Sequence, residues 1–284
     1  MPAILPPILP AILRICGATD IGLERTDNED TFVIADLTSG KVSSPCAEVA
    51  ISLPDSGFLL LVCDGMGGAA AGDVASRIAA ESIKQRLIDA GGEVSAHPQE
   101  ALGDAVLTAN RAILAEVRVH PQTRGMGTTC TAAIVLPGML TVAQVGDSRG
   151  YLLRAGKLWS LTKDQSLAEQ LLDQGVLTPE QVGTFPLRHV LVQALGTRTA
   201  VDPVITQYSL LPGDRVLLCS DGLHGTISEA DIQAGLGADG DLTDTTSTLV
   251  KRALAAGGQD NVTVVVAEYG AVRPDGASDL RQSR

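Results

Sequence analysis

Phe58-Leu59-Leu60-Leu61-Val62-Cys63-Asp64-Gly65-Met66-Gly67-Gly68 is the stretch around which the rest of the chain can be arranged. Its unbroken apolar run is too short to span a membrane and predicts a buried strand. The run ends in Asp64, and the glycines that follow allow a sharp turn and a close approach of the backbone to a bound group. Taken alone, the stretch favours a turn in which Asp64 only bonds nearby amides.

Composition limits the classes of protein to consider. The 284 residues suffice for one large domain or two small ones. Hydrophobic residues make up 45% and aromatic residues 2%, so we expect a core of Ala, Val, Leu and Ile. The 21 basic and 33 acidic residues give a net charge of -12, which argues against nucleic-acid binding because such proteins need a basic face.

The cysteines and histidines indicate a protein that lies in a reducing compartment and has no zinc site. Five cysteines, at positions 16, 46, 63, 130 and 219, form no C-x-x-C pair, and the four histidines lack zinc-ligand spacing. We therefore expect a cytoplasmic protein with reduced thiols.

The two ends of the chain differ from its middle. Residues 1–14 form an apolar leader whose prolines and lack of a basic segment argue against a signal peptide. No later stretch reaches the length of a transmembrane helix, so we expect no stable membrane insertion. Residues 270–284 are polar and small, and a disordered tail is expected there.

Between the ends, apolar spacing predicts both helices and strands. Helices are predicted over residues 73–90, 98–118, 228–236 and 243–256. Strands are predicted in a meander over 128–161 and then over 204–210, 215–219 and 262–267. Residues 162–199 interrupt this pattern with two short helical segments, and we expect them to cover one end of the sheet and shape access to a site.

Acidic residues recur where predicted strands begin or end. They are Asp64, Asp147, Asp221, Asp260 and the pair Glu29-Asp30. Each of these residues alone is more typical of a turn than of a ligand. Their recurrence at five strand ends makes five unrelated turns a poor explanation, because one sheet system can gather such ends at a single rim.

Carboxylates gathered at one rim would raise one another's pKa unless a cation neutralised them. Oxygen ligands without His or Cys favour Mg²⁺ or Mn²⁺ over Zn²⁺. The number of acids favours more than one ion, with one carboxylate bridging a pair. The forked guanidinium of Arg25 would suit a phosphoryl group near such ions, although its spacing fits a surface arginine equally well.

Seven segments in order carry a resemblance to a known family. The chain resembles the compact bacterial form of the type-2C, metal-dependent Ser/Thr protein phosphatases (the PPM family) over about residues 15–269. The segments are Arg25-Thr26-Asp27-Asn28-Glu29-Asp30, Val62-Cys63-Asp64-Gly65-Met66-Gly67-Gly68, Gly127-Thr128-Thr129, Val145-Gly146-Asp147-Ser148-Arg149, Leu161-Thr162-Lys163-Asp164, Leu218-Cys219-Ser220-Asp221-Gly222-Leu223 and Gly258-Gln259-Asp260-Asn261-Val262-Thr263.

The resemblance implies an α+β fold, in which two antiparallel sheets pack face to face with helix pairs outside as a four-layer α-β-β-α sandwich. Residues 15–269 would form the phosphatase domain, with a flap at 162–199. Asp64 would bridge two Mn²⁺ or Mg²⁺ ions. Glu29 and the Gly65 carbonyl would help hold one ion, and Asp221 and Asp260 the other.

The resemblance also implies roles for the remaining site residues. Asp30 would act behind the metal ligands, and Asp147 with Asp221 would bind a weaker third ion. Arg25 would hold the phosphate while a metal-bridged hydroxide attacks phosphorus without a covalent phosphoenzyme. The expected reaction is hydrolysis of phosphoserine and phosphothreonine in proteins. The expected partners are phosphorylated proteins and a cognate Ser/Thr kinase, and the protein is expected to be a monomer.

The chain departs from the family at positions where many members carry histidine. This chain has Met66, Ala69 and Gln165 at those positions. The general acid is therefore unassigned, and a metal-bound water molecule could take its place. Low turnover is expected. His224 follows the Asp221 turn, but an exposed loop histidine is predicted in preference to a group that acts on the metals.

Other interpretations stay open at the level of sequence. One is a narrow phosphatase for a single regulator, such as an anti-sigma antagonist. Another is a catalytically weak regulatory or binding module on the same fold, which the loss of a metal carboxylate would have indicated. The third is a structural β-sandwich that binds Ca²⁺, in which Arg25 would have no role.

Overall fold

The computed structural model describes residues 11–41, 51–52, 57–67 and 71–271, and these residues form two antiparallel sheets. With strands numbered in chain order, the first sheet runs β3 (Ile51–Ser52), β1 (Ala11–Asp20), β12 (Val262–Ala271), β11 (Arg215–Cys219), β8 (Arg149–Arg154) and β9 (Lys157–Ser160). The second sheet runs β10 (Val204–Ser209), β7 (Met139–Val145), β6 (Cys130–Leu136), β4 (Phe58–Met66) and β2 (Asp30–Asp36), with β5 (Gly127–Thr128) paired to β4.

Helices lie on the outer faces of the sheets and between strands. They are α1 (Gly72–Ala90), α2 (Glu93–Ala96), α3 (Pro98–Val119), α4 (Leu167–Asp173), α5 (Pro179–Val182), α6 (Asp221–His224), α7 (Glu229–Leu236) and α8 (Leu242–Ala255), with a 3₁₀ turn at Pro121–Thr123. The four long predicted helices are confirmed as α1, α3, α7 and α8, whereas the one-turn helix α6 was not predicted. In the described part of the chain, none of the helices combines the length and the apolar character needed to cross a membrane.

Strand β4 is buried on both faces. Phe58 and Leu60 belong to the apolar layer between the two sheets, whereas Leu59 and Leu61 pack in the layer that α1 and α3 share with the second sheet. Because successive side chains of a strand point to opposite faces, two buried faces require an unbroken apolar run. This double burial is the physical reason for the sequence of β4.

A third apolar layer covers the outer face of the first sheet. Leu217 of β11 and Val264 of β12 pack there with Ile232 of α7 and Leu249 of α8. The order of layers is therefore α1 and α3, second sheet, first sheet, and α6 to α8. The predicted α+β fold with four layers is confirmed.

Strand β1 was not predicted, and it extends into the expected leader. It begins at Ala11 and pairs along its whole length with β12, from Ala11 opposite Ala271 to Asp20 opposite Val262. The expected boundary after residue 14 therefore falls inside a strand, and β12 runs past 267 into the expected tail. The pairing partner lies at the far end of the sequence, so local periodicity could not reveal it. Residues 1–10 and 272–284 lie outside the described residues.

Residues 162–199 leave the sheets between β9 and β10 and contain α4 and α5. Isolated bridges hold the base of this segment, one between Ser166 and Leu191 and one between Thr128 and Leu195. Because Thr128 belongs to β5, which pairs with the end of β4, the second bridge places the segment beside the Asp64 turn.

Candidate metal centre

The centre begins with two aspartates that face each other across neighbouring strands. Asp30, the first residue of β2, is the cross-strand partner of Asp64 near the end of β4. Side chains directly opposite each other on antiparallel strands share a face, and like charges there repel. Burial, and then the charges of Asp30 and Asp221, raise the pKa of Asp64 well above its ordinary value. The pair therefore favours either a shared proton or a bound cation.

The backbone of Asp64 is fixed by the strands beside it. Its amide donates to Thr129 Oγ1 at 2.9 Å, and its carbonyl accepts from Thr129 N and from Thr128 Oγ1, each at 2.9 Å. With both backbone groups satisfied, the carboxylate is held at the end of the layer between the two sheets.

Asp30 is buried and only half satisfied. Its Oδ2 accepts a hydrogen bond of 2.7 Å from Ser220 Oγ, and its Oδ1 has no hydrogen-bond partner among the described residues. Burial raises the pKa of Asp30 to about 7. A buried oxygen without a partner is costly, and a proton or the hydration shell of a cation would supply the missing partner.

Glu29 is held by its backbone against the start of α1. Its amide donates to Asn261 Oδ1 at 2.8 Å, and its carbonyl accepts from Gly65 N at 3.2 Å. A β-carbon added to Gly72 would lie 2.6 Å from Glu29 Cδ, so the carboxylate occupies space that a side chain at position 72 would fill. Burial raises the pKa of Glu29.

Gly65 is also required by close packing. A β-carbon at this position would lie 2.2 Å from the Gly72 carbonyl oxygen and 2.6 Å from the Glu29 carbonyl oxygen. The end of β4, the Glu29 backbone and the start of α1 therefore touch. This contact explains the glycine that follows Asp64 in the sequence.

The first sheet contributes two further acids. Asp221 is the first residue of α6, and its Oδ1 is buried without a hydrogen-bond partner in the described part of the chain. Burial, followed by the charge of Asp260, raises the pKa of Asp221. Asp260 precedes β12, and its Oδ1 accepts from Asn261 N at 2.8 Å.

Arg25 lies at the exposed edge of this cluster. Its Nη2 donates to Asp260 Oδ2 at 2.7 Å, and this hydrogen bond is the main cause that raises the pKa of Arg25. The side chain of Arg25 is half exposed. The arginine predicted to hold phosphate is thus paired with a predicted metal ligand.

Asp147 reaches the cluster from the turn between β7 and β8. Burial, and then the charge of Asp221, raise the pKa of Asp147 to about 8. His224 Nε2 lies 3.0 Å from the Asp147 carbonyl oxygen. The expectation of an exposed loop histidine at 224 is wrong, because His224 ends helix α6 with its side chain half-buried, and burial lowers its pKa to about 4.

Several residues of the centre had no role in the sequence-based predictions. Ser220 bonds Asp30, and Asn261 bonds the Glu29 amide, while Asn261 Nδ2 donates to the carbonyls of Ile21 and Asp27. Both residues adjoin predicted ligands in sequence, and this adjacency was the available signal. His189, from segment 162–199, lies close enough for its charge to lower the pKa of Asp221.

The donor set fits a hard divalent cation. Every predicted ligand offers oxygen, buried oxygens of Asp30 and Asp221 have no hydrogen-bond partner in the described ranges, and the neighbouring carboxylates raise one another's pKa. As these side chains stand, no group of three or more His, Cys, Asp or Glu residues among those described is close enough to hold an ion. Binding would therefore draw the carboxylates closer together.

Comparison with known proteins assigns the family. The sequence model of Protein phosphatase 2C matches residues 45–260. The serine/threonine protein phosphatase PstP of Mycobacterium tuberculosis is 38% identical over 269 residues, which cover 93% of this chain and 47% of PstP. The protein phosphatase PhpP of Streptococcus pneumoniae is 32% identical over 254 residues, covering 89% of this chain and 96% of PhpP.

The fold agrees with a solved structure. The catalytic domain of PstP in complex with two manganese ions matches with a TM-score of 0.75 at 36% identity, covering 91% of this chain and 99% of that one. This chain belongs to the protein phosphatase 2C family, which confirms the resemblance seen in the sequence. It spans about half the length of the full PstP protein, of which it covers 47%.

Proposed function

We propose that this chain is a metal-dependent phosphatase that hydrolyses phosphoserine and phosphothreonine in proteins. The observation that carries the proposal is the cross-strand pair Asp30 and Asp64, with Asp221 near enough to raise the pKa of Asp64. Such a cluster costs stability without a cation, and natural proteins keep costly polar clusters chiefly at functional sites.

The proposed metal ligands follow from this placement. Asp64 would contact two Mn²⁺ or Mg²⁺ ions, one shared with Glu29 and the Gly65 carbonyl and the other with Asp221 and Asp260. Two observations support Glu29 as a ligand: its backbone amide is held by Asn261, and its carboxylate packs against Gly72. Divalent cations at such a site supply an activated water molecule and neutralise phosphoryl charge.

The remaining residues would bind phosphate, hold a further cation or support the metal ligands. Arg25 carries a permanent positive charge at the exposed edge, where its guanidinium can donate to phosphoryl oxygens. Asp30, which accepts a hydrogen bond from Ser220, would support the metal ligands without binding an ion directly. Asp147, with Asp221, would bind a third cation. His224 would not serve as the general acid, because its Nε2 is bonded to the Asp147 carbonyl and burial lowers its pKa to about 4.

Partners and compartment follow as further proposals. The substrates would be phosphorylated proteins, including the products of a Ser/Thr kinase, and the chain would act as a monomer in the cytoplasm. Among the described cysteines, Cys16, Cys63, Cys130 and Cys219 are free and buried, which suits a reducing compartment. Light scattering after size exclusion tests the monomer directly.

Phosphate release from matched phosphopeptides tests the proposed reaction. Purified protein is incubated with phosphothreonine, phosphoserine and phosphotyrosine versions of one peptide, in Mn²⁺, Mg²⁺, Ca²⁺ or EDTA. We expect release from the first two peptides in Mn²⁺ or Mg²⁺ and none in EDTA. Folded protein that releases no phosphate in any metal would instead favour a binding module on this fold.

A further inference from the structure

Helix α6 links two acidic parts of the centre through its first and last residues. It begins with Asp221 and ends one turn later with His224. His224 Nε2 lies 3.0 Å from the carbonyl oxygen of Asp147, a residue in the turn between β7 and β8. The two residues are 77 positions apart in sequence.

The direction of this hydrogen bond follows from chemistry. A carbonyl oxygen can only accept, so Nε2 carries the proton. The charged groups that act on the ring are Arg149, Asp164 and His189. The ring therefore donates through Nε2 to the turn that carries Asp147.

The turn that carries Asp147 is fixed on both sides of that residue. Gly146 N donates to Gln165 Oε1 at 3.0 Å, and the Ser148 carbonyl accepts from Thr131 Oγ1 at 2.6 Å. The Asp147 carbonyl is bonded by His224. Of these contacts, the one from His224 connects the turn to the helix that bears Asp221.

This connection joins the two chain segments that carry Asp147 and Asp221. The carboxyl group of Asp147 is buried, and Asp221 is the first residue of the helix whose last residue bonds the Asp147 carbonyl. A cation bound between two carboxylates needs them to stay close, and Mg²⁺ or Mn²⁺ can complete its coordination with water.

We propose that His224 is a positioning residue that holds Asp147 beside Asp221, so that these two carboxylates and water molecules bind a divalent cation. This inference rests on the proposed function, because it assigns the same centre a residue that sets the affinity of its weakest ion. Residues that orient metal ligands through a hydrogen bond typically change metal affinity by about 10- to 100-fold when replaced.

Calorimetric titration of EDTA-stripped protein with MnCl₂ tests the proposal without relying on activity. His224→Leu removes the donor, whereas His224→Gln keeps a nitrogen donor at comparable reach. His120→Leu is a matched control, because His120 is an exposed histidine that pairs with Glu116 at the end of α3. Thermal unfolding of each metal-free variant shows whether it is folded.

We expect the weakest Mn²⁺ binding step to lose about tenfold or more in affinity in His224→Leu, to recover to within about threefold in His224→Gln, and to be unchanged in His120→Leu. The tighter steps stay as in the parent protein. Asp147→Asn removes the same step, and adding His224→Leu to it causes no further loss, because the two changes act on one site.

Three results would overturn the inference. The first is an unchanged affinity of the weakest Mn²⁺ binding step in folded His224→Leu. The second is a loss of that affinity in His224→Gln as large as in His224→Leu. The third is a parent protein that shows no weak Mn²⁺ binding step. If His224→Leu does not fold, His224→Asn, whose amide is shorter, takes its place. A parent protein that binds Mn²⁺ in this way but releases no phosphate from any peptide contradicts the proposed function and leaves the role of His224 supported.

Discussion

The guanidinium of Arg25 donates a 2.7 Å hydrogen bond to Asp260, a proposed metal ligand. The side chains of Arg25 and Asp260 are 51% and 35% exposed, so solvent screens the pair and its contribution to stability is small. The contact instead bears on function, because a carboxylate that binds a cation is less available to a guanidinium.

We expect Arg25→Ala to lower kcat/KM for a phosphothreonine peptide by about 100-fold, since a charge-assisted contact to the phosphoryl group is lost. The thermal midpoint of the metal-free protein should move by less than about 3 °C, as the exposed pair contributes under about 1 kcal/mol. Arg111→Ala is the matched control, because Arg111 forms an exposed pair with Asp104 away from the centre. Equal activity in the two variants would remove Arg25 from the proposed site.

Gly72→Ala tests whether the packing of the Glu29 carboxylate against Gly72 matters for metal binding. The added β-carbon would lie 2.6 Å from Glu29 Cδ, so the carboxylate must move. We expect Mn²⁺ affinity to fall about tenfold, with less than about 1 kcal/mol lost in the free energy of unfolding, because the displaced atoms are the end of a flexible side chain. Gly92→Ala is the control, because nothing lies within 4 Å of a β-carbon there. Unchanged metal binding in Gly72→Ala would argue against Glu29 as a ligand.

The acidic cluster predicts an unusual pH dependence of stability. Asp30 and Asp147 have an ordinary pKa of 3.8, and folding raises it to about 7 and about 8. Between the ordinary pKa of 3.8 and the raised pKa values of about 7 and about 8, the folded protein binds more protons than the unfolded chain. The free energy of unfolding therefore falls as pH rises through this range. The stabilising contribution is complete below about pH 4 and is lost as pH approaches 8.

Thermal unfolding of metal-free protein measures this effect. We expect the midpoint at pH 5.5 to exceed that at pH 8 by roughly 5 °C, and Asp64→Asn to reduce the difference because it removes one of the interacting charges. Saturating Mn²⁺ should reverse the order, since cations and protons compete for the carboxylates. A metal-free protein that is more stable at pH 8 would show that the acids are not clustered.

Arg149 anchors the base of segment 162–199. Its Nε and Nη2 each donate to Asp164 at 2.8 Å, and both side chains are largely buried. Arg149→Lys keeps the charge but loses the paired geometry. We expect proteolytic cleavage within residues 162–199 to accelerate about tenfold, because local opening becomes easier.

Arg154→Lys is the control for this experiment. Arg154 forms the same kind of double contact with Asp214, at the far end of the sheets from Asp64. Cleavage of 162–199 should not change in this variant. Equal protection of the segment in Arg149→Lys and in the parent protein would show that Arg149 does not hold its base.

Sequence alone predicted the parts of this protein that depend on local pattern. The apolar run before Asp64 marked a buried strand, and acids at strand ends marked the cluster, because both signals lie within a few residues. The structure brings Asp30, Asp64, Asp147 and Asp221 near one another, as the strand-end argument required. The roles of these residues stay predictions.

The parts that the sequence did not reveal depend on distant partners. Strand β1 is defined by its register with β12, at the other end of the chain. His224 is held by a carbonyl 77 positions away, so its burial could not be read from its own surroundings. Ser220 and Asn261 were overlooked because their roles arise where the two sheets meet.

One comparison tests the central claim most directly. Phosphate release from a phosphothreonine peptide in Mn²⁺ is measured for the parent protein, for Asp64→Asn and for Asp36→Asn, which alters the opposite end of the strand paired with β4. The metal-centre account predicts that Asp64→Asn loses at least about 1,000-fold in kcat/KM, while Asp36→Asn keeps the activity of the parent. Activity that survives in folded Asp64→Asn, or that persists in EDTA, would contradict it.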